Sequence, residues 1–180
     1  MDYDKIIRQY YDPQSELYAL LMAHSRAVTD KALEIARKCS GDFALDFAFI
    51  EQAAMLHDIG ILYTNAPAVL CFGNYPYICH GYLGSDMLKE SGYPIHALVC
   101  ERHTGTGLSL AEIEEKSLPV PKRDMRPQTM EEQIICFADL FFSKTRLGEE
   151  KSIKKIRDKL VKYGDKSILQ FDKWCEMFLK

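Results

Sequence analysis

Residues 54–61 read Ala54-Met55-Leu56-His57-Asp58-Ile59-Gly60-Ile61, which sets an imidazole and a carboxylate side by side in an otherwise apolar run. A run of this kind is expected to be buried. Burying two ionisable groups is costly unless they are paired, hydrogen-bonded or bound to a metal. The chain must therefore bring partners to this stretch from elsewhere. The candidates are His24 upstream and His80, His103 and Asp139 downstream.

Helical periodicity supports that reading. Apolar Leu17, Leu20, Leu21, Val28, Ala32 and Ile35 recur three or four apart after Ser15, a good N-cap, so a long helix is predicted there, ending at Ser40-Gly41-Asp42. His24 lies four residues from both Leu20 and Val28 and points inward with them. A second helix is predicted over about 45–60, with Ile50, Ala53, Ala54, His57 and Ile61 on one stripe and Asp58 about 100° round. Asp139 has apolar neighbours on both sides in Ile134-Ile135-Cys136-Phe137-Ala138-Asp139-Leu140-Phe141-Phe142. A buried carboxylate needs a cation or several donors.

The rest of the chain also reads as helix. A short helix is expected over 2–11, one over about 77–91 with His80 near its start, and one opened by Pro94 that reaches His103. Ser109/Glu112 and Thr129/Glu132 have the capping-box spacing. Ile153, Ile156, Leu160 and Tyr163 form an amphipathic stripe, and Ile168, Phe171, Trp174, Cys175 and Phe178 mark a last helix. Residues 63–77 read as an irregular loop and 117–128, with three prolines, as an extended surface crossing. With no convincing strand, the expected fold is all-α: one domain over 1–180, a helix bundle around the site with its core at about 20–145 and C-terminal helices at 150–180.

Composition narrows the partners. A net charge of −3 over 180 residues gives no basic field for polymeric nucleic acid. No apolar run approaches the roughly 20 residues of a membrane helix. Met1-Asp2-Tyr3-Asp4-Lys5 does not open a signal peptide. None of the six cysteines forms a C-x-x-C pair, which fits reduced thiols and a cytoplasmic setting. The aromatic C-terminal helix is free to pack on the core or on a second copy, so a homo-oligomer is admitted.

Four of the five histidines and two interior aspartates thus fall on five predicted helices, with His57 and Asp58 sharing one; His96, near a helix start, is left as structural. Mixed imidazole and carboxylate donors suit one or two divalent transition metal ions, Fe, Mn, Ni or Zn, rather than a calcium cage. Arg102, Arg26 and Lys144 are the basic residues nearest these positions in sequence, and Thr104 opens a Thr-Gly-Thr-Gly turn that offers backbone N–H groups to an anion.

The order His24 … His57-Asp58 … Asp139 resembles the HD superfamily of metal-dependent phosphohydrolases, and Leu56-His57-Asp58-Ile59-Gly60 is similar to its HDIG subgroup. The blocks His80-Gly81-Tyr82-Leu83-Gly84, Glu101 to Gly107 and Glu131 to Asp139 resemble later blocks of that subgroup. The resemblance implies that His24, His57, Asp58 and Asp139 hold a first metal. It implies that His80 and His103 hold a second, with Asp58 bridging and His57-Asp58 as the catalytic pair. It further implies hydrolysis of a phosphate ester or anhydride, in a phosphorylated small molecule of the nucleotide class. Two departures are present. Ile61 stands where many HDIG members have lysine, and Thr104 stands where cyclic-dinucleotide phosphodiesterases have a further histidine. The alternatives are a symmetrical dinucleoside tetraphosphate hydrolase, a di-iron oxygenase, and a non-catalytic nucleotide-binding HD domain with a structural metal.

Overall fold

The computed structural model describes residues 1–179. Among these, nine α-helices and one small sheet are formed. Helix α1 (Tyr3–Tyr10) is capped by Asp2, and α2 (Glu16–Cys39) by Ser15, whose hydroxyl accepts from the Tyr18 amide at 3.1 Å. Helix α3 (Phe47–Leu56) starts on Asp46 and ends four residues earlier than the apolar stripe predicts. His57 is its C-cap, and a 3-10 turn follows over Ile59–Tyr63. Asp58 sits between the two with φ −106° and ψ 9°, in the bridge region where a chain changes direction.

Residues 63–77 are not the irregular loop expected. They hold three short strands, β1 (Thr64–Ala66), β2 (Cys71–Phe72) and β3 (Tyr75–Pro76), in the order β2-β1-β3. Strand β1 pairs antiparallel with β2 and parallel with β3. Strands of two or three residues carry no readable alternation, which is why the pattern hid them. The fold nonetheless stays all-α in character.

Helices α4 (His80–Glu90) and α5 (Pro94–Arg102) follow, with Pro94 in the first turn of α5. Helix α6 (Leu110–Glu115) carries the complete Ser109–Glu112 capping box. Helix α7 (Met130–Asp139) uses only half of the predicted one: Thr129 accepts from the Glu132 amide, while the Glu132 carboxylate turns to Arg102 and to the Gln128 amide. Helices α8 (Ile153–Leu160) and α9 (Asp165–Phe178) close the chain. The α8 stripe is buried only at Ile156 and Leu160; Ile153 and Tyr163 are exposed.

Two apolar cores result. One joins Val28, Ala32 and Ile35 of α2 to α3, α7, α8 and the Phe171, Trp174 and Phe178 face of α9. Helix α9 therefore packs on its own domain, with its three rings around Phe137 at centroid distances of 5.5–6.0 Å. The other core joins Ile6, Ile7 and Leu21 to Leu56, Ile59, Leu88, Ala97 and Cys100. Along α2 the switch from one core to the other falls between Leu21 and Val28, where His24 stands. Along α3 it falls between Ala54 and Leu56, just before His57-Asp58. The polar site thus fills the seam between the cores, and helix packing brings its parts together from five places in the sequence.

Candidate metal centre

Asp58 is fully buried at the middle of the seam. On one side, its Oδ2 lies 3.1 Å from His24 Nε2 and 3.0 Å from His57 Nε2. Asp139 Oδ1 joins this group at 3.0 Å from His24 Nε2 and 3.6 Å from His57 Nε2. On the other side, Asp58 Oδ1 lies 3.5 Å from His80 Nε2 and 3.4 Å from His103 Nε2. The six side chains fall into two sets of donor atoms that share Asp58, each set with its atoms within 4.8 Å of one another.

Three of the imidazoles are oriented in the same way. His57 Nδ1 lies 2.6 Å from the Ala54 carbonyl, His80 Nδ1 2.7 Å from that of Tyr77, and His103 Nδ1 2.7 Å from that of Cys100. Each Nδ1–H donates to the carbonyl three residues earlier. That fixes the ring orientation and turns Nε2 toward the centre, where the neutral ring presents a lone pair. His80 Nε2 and His103 Nε2 then face each other at 3.0 Å, so with both rings neutral two lone pairs meet with no proton between them. His24 Nε2, His57 Nε2 and Asp58 Oδ1 are buried and lack a hydrogen-bond partner. Converging lone pairs and unsatisfied carboxylate oxygens in a buried site call for a cation. The donor set fits divalent transition metals.

The electrostatics agree. Burial opposes the charge on Asp58, yet Lys144 and His57 outweigh it and hold the carboxyl well below the usual range. Burial likewise disfavours a charged His57, but the Asp58 and Asp139 carboxylates raise it to about 10. His80 goes the other way: burial and the neighbouring His103 lower it to about 3. His57 therefore competes for its proton, and His80 presents neutral imidazole.

The four residues expected to meet substrate are placed differently from one another. Lys144, on the segment after α7, puts its buried ammonium against Asp58 Oδ2 and 5.9 Å over the Tyr77 ring. A lysine thus stands at the centre even though position 61 is a core isoleucine. Arg102 does not reach the site; its Nη1 donates to both Glu132 oxygens at 2.9 and 3.1 Å, because Glu132 is nearly fully buried and needs that charge. Arg26 is exposed on α2, about 200° round from His24, so it faces away. Thr104 is half-buried, and its carbonyl accepts from Gly107 N at 2.9 Å in a tight turn after His103. His96 stays outside the cluster, near Gln52 and Phe49.

Tyr77 is a site residue that sequence reading missed. Its ring stacks on His80 at 4.7 Å and its carbonyl orients the same imidazole. The signal available was its position three residues before a histidine, a spacing shared by Ala54 and Cys100. Gly81 explains part of the His80-Gly81 block: a Cβ there would lie 2.8 Å from the Cys100 carbonyl, so only glycine lets α4 lie against the end of α5 beside His103.

Comparison with known proteins adds the following. The family model for the HD domain matches residues 21–142. An uncharacterized protein of Methanocaldococcus jannaschii is 32% identical over 145 residues, covering 79% of this chain and 78% of that one. Two tRNA (cytidine(56)-2'-O)-methyltransferases also match. That of Picrophilus torridus is 27% identical over 88% of this chain, and that of Thermoplasma volcanium 29% identical over 77%. The match spans only 43% and 37% of their lengths. No solved structure matches.

Proposed function

Because the chain belongs to the HD-domain family, we propose that it is a metal-dependent phosphohydrolase of the HDIG type that acts on a phosphate ester or anhydride of a nucleotide. The observation that carries this reading is the pair of donor sets sharing Asp58. His24, His57, Asp58 and Asp139 would hold one ion, and Asp58, His80 and His103 a second. Divalent ions held there would lower the pKa of a coordinated water and take up charge on a phosphoryl oxygen.

The chain's own residues supply the rest. The Nδ1 bonds to Ala54, Tyr77 and Cys100 hold three imidazoles rigid, so no reorganisation is needed when substrate arrives. Asp139 is the most exposed of the six, at 19% of its side chain, which sets the side from which substrate approaches. Lys144 stands on that side as a fixed cation for a phosphoryl group. The sheet that leads into Tyr77 and His80 carries exposed Phe72 and Tyr75, flat rings of the kind that stack on bases, which supports a nucleotide.

The test is metal analysis together with a substrate panel. One or two Fe, Mn, Ni or Zn ions per chain are expected, with release of phosphate from a nucleotide that stops in Asp58→Ala. Since two relatives are named as tRNA methyltransferases, RNA oligonucleotides belong on the panel beside free nucleotides and dinucleoside polyphosphates. A folded chain that binds none of these metals and hydrolyses nothing would defeat the reading.

A further inference from the structure

Residues 143–159 carry seven lysines and arginines against three carboxylates, in a chain whose net charge is −3. This cationic stretch begins at the metal centre. Ser143 and Thr145, on either side of Lys144, line a cavity of about 230 Å³ together with Arg146, Lys151, Lys155 and Lys159 and the two carboxylates Glu149 and Glu150. Lys151 Nζ donates to the carbonyl of Leu140, the residue after Asp139, so the cavity opens beside the most exposed donor of the centre.

The fold bears a cost to keep these charges together. Lys155 and Lys159 stand four apart on α8, where like charges repel, and Lys151 just before the helix lines the same cavity. The first turn of α8 has no acidic residue and carries Lys154 and Lys155 against the helix dipole. Burial and the neighbouring Lys159, Lys144 and Lys155 ammoniums lower Lys151 to about 8. Of the carboxylates that line the cavity, Glu150 pairs with Lys31 at 2.8 Å and Glu149 reaches Arg146 only at 4.0 Å, while Asp139 offsets part of the effect on Lys151. An anion in the cavity would relieve the repulsion among Lys151, Lys155 and Lys159. The cavity is smaller than the roughly 300 Å³ at which whole-ligand pockets begin, so it fits part of a ligand whose remainder lies elsewhere.

We infer that Arg146, Lys151, Lys155 and Lys159 form an anion subsite, continuous with the metal centre past Lys144, that seats a second phosphate group of the substrate. The substrate class is then a small molecule with at least two phosphates, one at the metals and one or more in this cavity. The inference rests on the phosphohydrolase reading for the first phosphate and on the cationic cavity alone for the second.

Calorimetric titration of the metal-loaded chain with inorganic tripolyphosphate and with orthophosphate, in saturating magnesium, tests it. Tripolyphosphate should bind at least tenfold more tightly than orthophosphate. Lys155→Ala/Lys159→Ala should weaken tripolyphosphate at least tenfold and orthophosphate less than twofold, and Lys155→Glu/Lys159→Glu should weaken tripolyphosphate further. Both lysines are exposed, so an unchanged melting temperature checks that the fold is kept. Lysine-dependent tripolyphosphate binding in a chain that hydrolyses no phosphate ester would uphold the subsite while the enzymatic reading fails. Equal binding of the two anions, or tripolyphosphate binding indifferent to the lysines, would overturn the subsite. So would a preference for a short RNA over tripolyphosphate, which would assign the patch to a polymer backbone.

Discussion

The backbone of Gly60 lies against His80 so closely that a Cβ at position 60 would stand 2.2 Å from the His80 carbonyl and 2.3 Å from the Gly84 amide. The obstacle is backbone, which cannot swing aside. Gly60→Ala should therefore push α4 and its histidine away from Asp58. Overpacking of this kind costs about 1–3 kcal/mol. A lowered unfolding midpoint is expected together with loss of one of two bound ions, read by mass spectrometry of metal content. Wild-type stability with full metal content would refute the close approach.

The sharing of Asp58 predicts unequal effects within the site. Asp58→Ala should lose all bound metal, because both donor sets contain that residue. His80→Ala should lose only the ion held with His103 and keep the one held by His24, His57 and Asp139. Equal loss in both variants would show that the two sets do not act as separate sites.

Arg102 and Glu132 predict a stability effect without a catalytic one. Their ion pair is largely buried, and breaking such a pair by removing one partner typically costs about 3–5 kcal/mol. Arg102 retains some exposure, so Arg102→Ala is expected at the lower end, about 3 kcal/mol by urea unfolding, with KM unchanged. A raised KM at unchanged stability would return Arg102 to the substrate site.

Proton linkage has two arms. His57 is raised from 6.5 to about 10, so in the metal-free chain its contribution is full below pH 6.5 and is lost as pH climbs toward 10. His80 is lowered from 6.5 to about 3, so stability falls as pH drops from 6.5 toward 3, where the unfolded chain binds a proton that the folded one does not. Metal-free stability should peak near pH 6.5. Metal loading at pH 8 should release a proton from His57 and none from His80, measured by calorimetry in buffers of different ionisation enthalpy. Loading without proton release would contradict the raised His57.

Trp174 tests the packing of α9. It is fully buried against Phe137, and its Nε1–H donates to Gln133 at 3.0 Å. Trp174→Ala should cost about 3–5 kcal/mol in urea unfolding while leaving metal content intact, since α9 contributes none of the six donors. A small cost would mean that α9 is only loosely attached.

Much of this was legible in the residues themselves. The three-to-four spacing of apolar positions places α2, α3 and α9, a continuous apolar run places α7, and Ser15 and Ser109 mark helix starts, because a helix writes its buried face and its caps into nearby sequence. The six candidate donors could be named because a buried charge needs a partner wherever it stands and because their order resembles that of the HD superfamily. Tertiary structure alone decided how they meet. The break after Leu56 aims His57 and Asp58 at one centre, and the carbonyls of Ala54, Tyr77 and Cys100 turn three rings inward. It also sent Arg102 to Glu132 and brought Lys144 to Asp58 across 86 residues of chain. Local patterns report which side of a helix is buried; which charges become neighbours depends on the packing of whole helices, and no spacing in the sequence records that.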